Sequence, residues 1–164
     1  CFILSLSDLG ELTFLPDLLA AVRERAPRVT VRSVDLPNKE LKAALVDGDV
    51  DLALGYFSGF DGGNLFSQKL FDQAFVCLAH RDHPRIGDSL SIEQFLQSDH
   101  VIVEQHGRSQ EVFDRHLEAL GLDRRVVLRS PHFMSVPLLI SQSDLITTVP
   151  LAVARIYTNL TRLK

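Results

Sequence analysis

The sequence is poor in the residues that specialised chemistry leans on: it has no tryptophan, one methionine and two cysteines in 164 residues. Cys1 and Cys77 are too few and too far apart for a disulfide framework or a cysteine zinc site. Basic residues are outnumbered, 17 Lys plus Arg against 21 Asp plus Glu, for a net charge of -4. The densest basic spots, Arg23/Arg25/Arg28 and Arg124/Arg125, are short and interrupted. A chain of this sign lacks the cation cluster that displaces phosphate counterions, so it is not itself expected to hold nucleic acid. Apolar runs stop well short of the roughly 20 residues of a membrane span. The opening residues carry no basic, apolar, small-residue signal pattern, and a cytoplasmic chain is expected. There is no GxSxG elbow, HExxH helix or GxxxxGK[ST] loop, so neither an enzyme nor a cofactor or metal site is expected. What remains is 46% hydrophobic and 23% charged, the balance of a globular chain with ample core.

Strands and helices alternate from the start. Phe2–Leu6 reads as a short buried strand. Leu12, Leu15, Leu19, Val22 and Ala26 recur at helical spacing. Asp8 with Glu11 matches a capping box, but a helix starting there holds Pro16 in its interior. A start near Thr13 puts Pro16 in the first turn and leaves Asp8 in the loop. Val29–Val34 reads as a strand, Asn38 as the cap of a helix over 39–47 closed by Gly48, and Val50–Gly55 as a strand. The order is βαβαβ, the pattern of a parallel sheet. After a glycine-rich loop at 56–64 come two extended stretches, Leu65–Phe71 and Ala74–His80. A second block follows: a helix capped by Ser91 with Gln94, a strand His100–Val103, and a helix capped by Ser109 and stopped by Gly121. Strand Arg125–Arg129, helix Met134–Gln142, strand Leu145–Val149 and helix Leu151–Tyr157 complete it. The expected fold is α/β in two lobes with a cleft between them, residues 1–72 and 73–160.

Single residues invite bland readings. The Gly55–Gly63 loop leads to a strand, so it is a turn and not a dinucleotide site. His80 and His83 lie on a strand end and a loop and read as a solvated turn, not a metal pair. His116, on the apolar side of its helix, reads as a partly buried histidine. More telling is the polarity at the carboxyl ends of the strands, where ligands of open parallel sheets bind. Those ends carry Ser5-Leu-Ser-Asp8, Gly55-Tyr-Phe57, Glu104-Gln-His-Gly-Arg-Ser109 and Ser130-Pro-His-Phe133. Small hydroxyls, histidines and aromatic rings suit a small organic anion such as an aromatic acid. The candidate ligand-binding residues are Ser7, Asp8, Tyr56, Phe57, His106, Ser130, His132 and Phe133.

Five features occur together and in order. They are Ser7 before Phe14-Leu-Pro16, the Ala26-Pro27 helix end, and Leu41-x3-Leu45-x2-Gly48-x2-Asp51-Leu-Ala-Leu-Gly55. Asp82-His83-Pro84 and Asp144-Leu-Ile-Thr-Thr-Val-Pro150 complete the set. Through them residues 2–157 resemble the effector-binding domain of the LysR-type transcriptional regulators. Ser7-Asp8-x-Gly-Glu11 and Ser130-Pro-His-Phe133 resemble the branch that controls aromatic degradation. The resemblance implies a type 2 periplasmic-binding-protein-like fold and a small-molecule co-inducer between the lobes. Ser7 and Asp8 would line the first rim, His132 and Phe133 the second. It also implies a homodimer or homotetramer, with Val22, Val29, Val31 and residues 112–116 as candidate interface positions. DNA would be contacted only through an N-terminal helix-turn-helix domain that is not part of this sequence. On the same resemblance, residues 161–164 begin a crossover back to lobe I, whose final strands lie beyond a truncated C-terminal part. That leaves an exposed sheet edge on lobe I as an expectation. Two rival readings share the scaffold: a periplasmic-type solute-binding protein for a small anion, and an enzyme with its reactive groups in the cleft.

Overall fold

The computed structural model describes residues 1–57, 59–60, 64–105, 108–160 and 162–164, the side chain of Leu160 aside. The chain divides into two compact units, Cys1–Phe71 and Asp72–Lys164. No helix among the described residues is long and apolar enough to cross a membrane.

The first unit is a βαβαβ wind. Strand β1 (Phe2–Ser5) lies between β2 (Val31–Val34) and β3 (Leu52–Ala53), all parallel, with Phe2 opposite Val31 and Leu4 opposite Leu52. Helix α1 (Asp8–Arg25) joins β1 to β2, and α2 (Asn38–Asp47) joins β2 to β3. Leu4, Leu6, Leu41 and Val50 are buried. The block Leu41…Gly48…Asp51 has a physical basis. Leu41 is wholly buried, and Gly48 ends α2 in the left-handed conformation at φ 80°, which an L side chain adopts only with strain. Asp51 then fastens β3 to β1: its Oδ2 accepts the Ile3 N–H at 2.7 Å, and its own N–H donates to the Ile3 carbonyl at 2.9 Å.

Helix α1 begins earlier than its proline suggests. Ser7 is the cap, its hydroxyl accepting the Gly10 N–H at 3.3 Å, and Asp8 is the first helical residue. Pro16 therefore sits in the helix interior. It lies on an exposed stretch of α1, where water can satisfy the carbonyl that its missing N–H leaves free. Glu11 closes no capping box and instead accepts a hydrogen bond from the Ser33 hydroxyl on β2. The extended stretch Leu65–Phe71 pairs with no strand among the described residues, and Phe66, Leu70 and Phe71 are exposed. Leu52 on the edge strand β3 is also exposed.

The second unit holds a four-stranded mixed sheet in the order β4-β7-β5-β6. Its strands are β4 (Phe75–Leu78), β5 (Asp99–Val103), β6 (Arg125–Ser130) and β7 (Ile146–Pro150); only the β4–β7 pairing is antiparallel. The β5–β6 register shifts between His100 and Val101, whose partners are Val126 and Leu128, so Val127 is an extra residue in the edge strand. Central β5 and β7 are buried nearly throughout, as expected where both faces are covered. Helices α3 (Ile92–Gln97) and α4 (Ser109–Ala119) contribute Phe95 and Leu117 to a core with Ala79, Ile86 and Ile146. Helices α5 (Val136–Ser141) and α6 (Leu151–Leu160) pack against β7, and α6 also against β4. Residues 162–164 run antiparallel along 79–81, with reciprocal 3.0 Å bonds between Ala79 and Lys164.

Ser91 and Gln94 form the full capping box of α3, with Leu90 and Phe95 in one core cluster. Asn38 and Ser109 are not caps: each is the first helical residue, behind Pro37 and Arg108. His116 is exposed because the buried stripe of α4 runs through Leu117. His83 reverses its expectation as well. It is buried; its Nε2 donates to the Asp144 carbonyl at 2.9 Å, and its Nδ1 accepts the N–H groups of Ile86 at 3.1 Å and Arg85 at 3.2 Å. One imidazole thus ties the Asp82-His83-Pro84 turn to the start of the Asp144–Pro150 segment.

Another histidine carries a pH dependence. His100 is wholly buried, with Nε2 donating to the Phe95 carbonyl at 2.7 Å and the ring edge-on to Phe95. Burial holds its pKa below the ordinary 6.5, against the partial opposition of that hydrogen bond. The unfolded chain protonates this ring before the folded chain does. Its contribution to stability is therefore present above pH 6.5 and lost as the pH falls below it. Urea midpoints at pH 7.5 and 5.5 should differ less for His100→Gln than for the unaltered chain; equal differences would refute the assignment.

Candidate functional site

Each unit presents a polar rim at the carboxyl ends of its parallel strands. In the first, β1 runs through Leu6 into Ser7 and Asp8 at the start of α1. Ser7 is nearly buried and spends its hydroxyl on the cap, while Asp8 Oδ1 accepts the Leu9 N–H at 2.8 Å, turning its charge onto the positive end of α1. Gly10 lets this turn approach the end of β3: a Cβ there would meet Leu6 Cδ2 at 3.1 Å and the Leu54 carbonyl at 3.5 Å. Beyond β3, Gly55 at φ 146° leads to Tyr56, which is half exposed, and to Phe57, whose ring lies 5.4 Å from that of Phe60. This rim therefore offers ring surface more than free hydrogen-bonding groups.

In the second unit the loops after β5 and β6 are fastened together. Glu104 N–H donates to the Ser130 carbonyl at 2.9 Å, and Gln105 Nε2 donates to the Pro131 carbonyl at 3.1 Å. Ser130 Oγ accepts the His132 N–H at 3.3 Å and donates to the His132 carbonyl at 3.0 Å, so this hydroxyl shapes the turn that presents His132. His132 is exposed. Phe133 points the other way: it is 3% exposed, and its carbonyl accepts the Tyr157 hydroxyl at 2.7 Å, joining the turn to α6. Glu104 pairs with Arg129 at 3.4 Å, which offsets the negative charge it brings to the rim. His106 lies outside the described residues.

The same rim holds a residue that sequence reasoning passed over. No side chain caps α4, and the backbone N–H groups of Ser109 and Gln110 have no acceptor among the described residues. Gln110 is 2% exposed, and neither its Oε1 nor its Nε2 has a hydrogen-bond partner among them. The available signal was its position in the first turn of a helix that follows a strand's carboxyl end.

A groove of about 410 Å³ lies between α4 and the β5–β6 edge. Six of its charged side chains are committed to one another, Asp114 with Arg124, Glu111 with Arg115 and Glu104 with Arg129, and Glu118 and Asp123 add further negative charge. Burial raises the Asp114 pKa against the pull of Arg124, whose guanidinium also lies 5.5 Å from the Phe113 ring centre. That groove is a packed electrostatic network rather than a seat for an anion. Among the described residues no three His, Cys, Asp or Glu side chains are grouped to hold a metal ion.

The sequence profile of the LysR substrate binding domain matches residues 3–164. The chain is 35% identical over 149 residues to the HTH-type transcriptional activator NagR of a Ralstonia species, covering 91% of this chain and 49% of that protein. It is 33% identical over 153 residues to the HTH-type transcriptional activator NahR of Pseudomonas putida, covering 93% and 51%. The chain thus spans about half the length of these curated relatives. A crystal structure described as a probable transcriptional regulator from Pseudomonas aeruginosa superposes with a TM-score of 0.86 at 28% identity, covering 99% of this chain and 55% of that one. In fold and in sequence, the chain belongs to the LysR substrate-binding domain family.

Proposed function

We propose that this chain is the effector-sensing and oligomerisation domain of a bacterial LysR-type regulator, and that its effector is a small organic acid of aromatic type. The observation that carries the choice of an acid is the uncapped start of α4. Two backbone N–H groups without acceptors among the described residues, at the positive end of a helix and on one rim with exposed His132, suit a carboxylate. Tyr56 and Phe57 offer ring surface on the other rim. Ser7, Asp8, Ser130 and Phe133 then shape the rims, and His132 donates to the acid. DNA contact falls to a helix-turn-helix segment outside the matched residues, and this chain catalyses nothing. A cytoplasmic homodimer or homotetramer is the working assembly. The effector acts by its differential affinity for two arrangements of that assembly, and it can shift their balance by no more than that difference.

Thermal midpoints measured against benzoate, 2-hydroxybenzoate, succinate and citrate test the reading. At a concentration 100-fold above Kd, a bound acid adds roughly 2.7 kcal/mol of stability, a shift of several degrees. We expect the aromatic acids to raise the midpoint and succinate to leave it in place. A flat response to all four rejects the acid, and turnover of any of them rejects the sensor.

A further inference from the structure

Gln110, like Ser5 at the end of β1, is a buried rim side chain without a hydrogen-bond partner among the described residues, but it leaves a whole amide unused. A primary amide offers two donors and two acceptor positions, and buried amides almost always use them. This one is 2% exposed and uses none among the described residues. Leaving such a group unsatisfied opposes folding, so a residue present only for packing would be better served by methionine, which has nearly the same shape and no amide. The position adds a second, independent sign. Gln110 lies in the first turn of α4, an 11-residue helix whose N-terminus has no side-chain cap and whose Ser109 and Gln110 N–H groups lack acceptors among the described residues. Backbone and side chain of the first turn of α4 therefore both leave donors unused among the described residues.

We propose that Gln110 is a specificity-determining residue of the effector site, its Nε2 donating to the carboxylate of an acid seated at the first turn of α4. The inference rests on the acid-sensing reading and adds the side chain that recognises the acid. Ser109 and Gln110 N–H groups attract any anion; the amide adds a donor at a fixed distance from the helix axis and distinguishes a planar carboxylate from a halide or a neutral ligand. Charge is not the means, since the amide is neutral; selection comes from geometry and from the cost of leaving the amide unpaired when the wrong ligand enters.

The test is calorimetric titration of benzoate into the unaltered chain and into Gln110→Met, with urea midpoints of both in the absence of ligand. We expect Gln110→Met to bind benzoate at least tenfold more weakly while being as stable as the unaltered chain or more so. Affinity within twofold of the unaltered chain overturns the proposal, because a packing residue satisfied by water would behave that way. If Gln110→Met does not fold, the unaltered chain decides. With ¹⁵N-labelled glutamine, the side-chain amide of Gln110 should shift on adding benzoate, while those of Gln94 and Gln97, bonded within or beside α3, stay in place. An unmoved Gln110 amide at saturating benzoate rejects the proposal and leaves the sensor reading intact. A chain that binds neither benzoate nor 2-hydroxybenzoate rejects both.

Discussion

His83→Ala should destabilise the chain by about 3 kcal/mol, the combined effect of a lost buried ring and three orphaned backbone groups. The imidazole is buried and saturated: Nε2 donates to the Asp144 carbonyl, and Nδ1 accepts from Ile86 and Arg85. Removing it strands the Asp144 carbonyl and leaves the turn before α3 without its acceptor. The damage does not stop there, since Lys164 Nζ donates to the Ile86 carbonyl at 2.8 Å, so the stretch paired with 162–164 loosens too. His83→Asn is the informative companion, because its Oδ1 can replace Nδ1 as acceptor while its shorter side chain cannot also reach Asp144. It should recover part of the loss. Urea midpoints of the three proteins measure this, and a cost below about 1 kcal/mol for alanine would mean that the imidazole is dispensable.

The second large effect is chemical. Cys77 is a half-buried member of the β4–β7 pairing, opposite Thr148, and burial pushes its thiol up to about 12, with Thr148 and Arg124 pulling the other way. At pH 8 a thiol of that pKa is thiolate in only about one molecule in ten thousand, and thiolate is the reacting form. Cys1, by contrast, is exposed. A disulfide reagent at pH 8 should therefore titrate one thiol of the native chain within minutes and the second only after denaturant is added. Two fast thiols would show that the sheet opens on that timescale at β4. Cys77→Ser places a stronger hydrogen-bonding group in the same site, and Cys77→Ala should be the better tolerated of the two.

What could be read from the sequence was what local chemistry decides. The βαβαβ order, the stop at Gly48, the capping box at Ser91 and the turn at Gly121 each depend on a few neighbouring residues and stand as expected. Misreadings occur where a distant contact or a solvent face sets the outcome. Pro16 argues for a late start of α1 only if that part of the helix is buried, and Pro16 is exposed. Asn38 and Ser109 favour caps, yet Pro37 and Arg108 hold that position, one residue earlier. His83 and His116 exchange roles because burial follows packing rather than periodicity alone. The rims behave alike. Their location followed from strand direction, and Ser7, Asp8, Ser130 and His132 stand at strand ends as their positions implied. Gln110 was not legible, since a glutamine beside a serine at a helix start looks like an ordinary solvated residue until neighbouring elements close over it.

The extra residue at Val127 affects more than the local register. β6 is the outer strand of its sheet, and an uninterrupted outer strand is a template for the strand of another molecule. A straight, uncharged outer strand invites such pairing and growth into fibres. The bulge bends the ladder midway, and Arg125 and Arg129 place positive charge on either side of it. Deleting Val127 should straighten the strand and raise the tendency of this edge to pair with other molecules, which light scattering of the variant would measure.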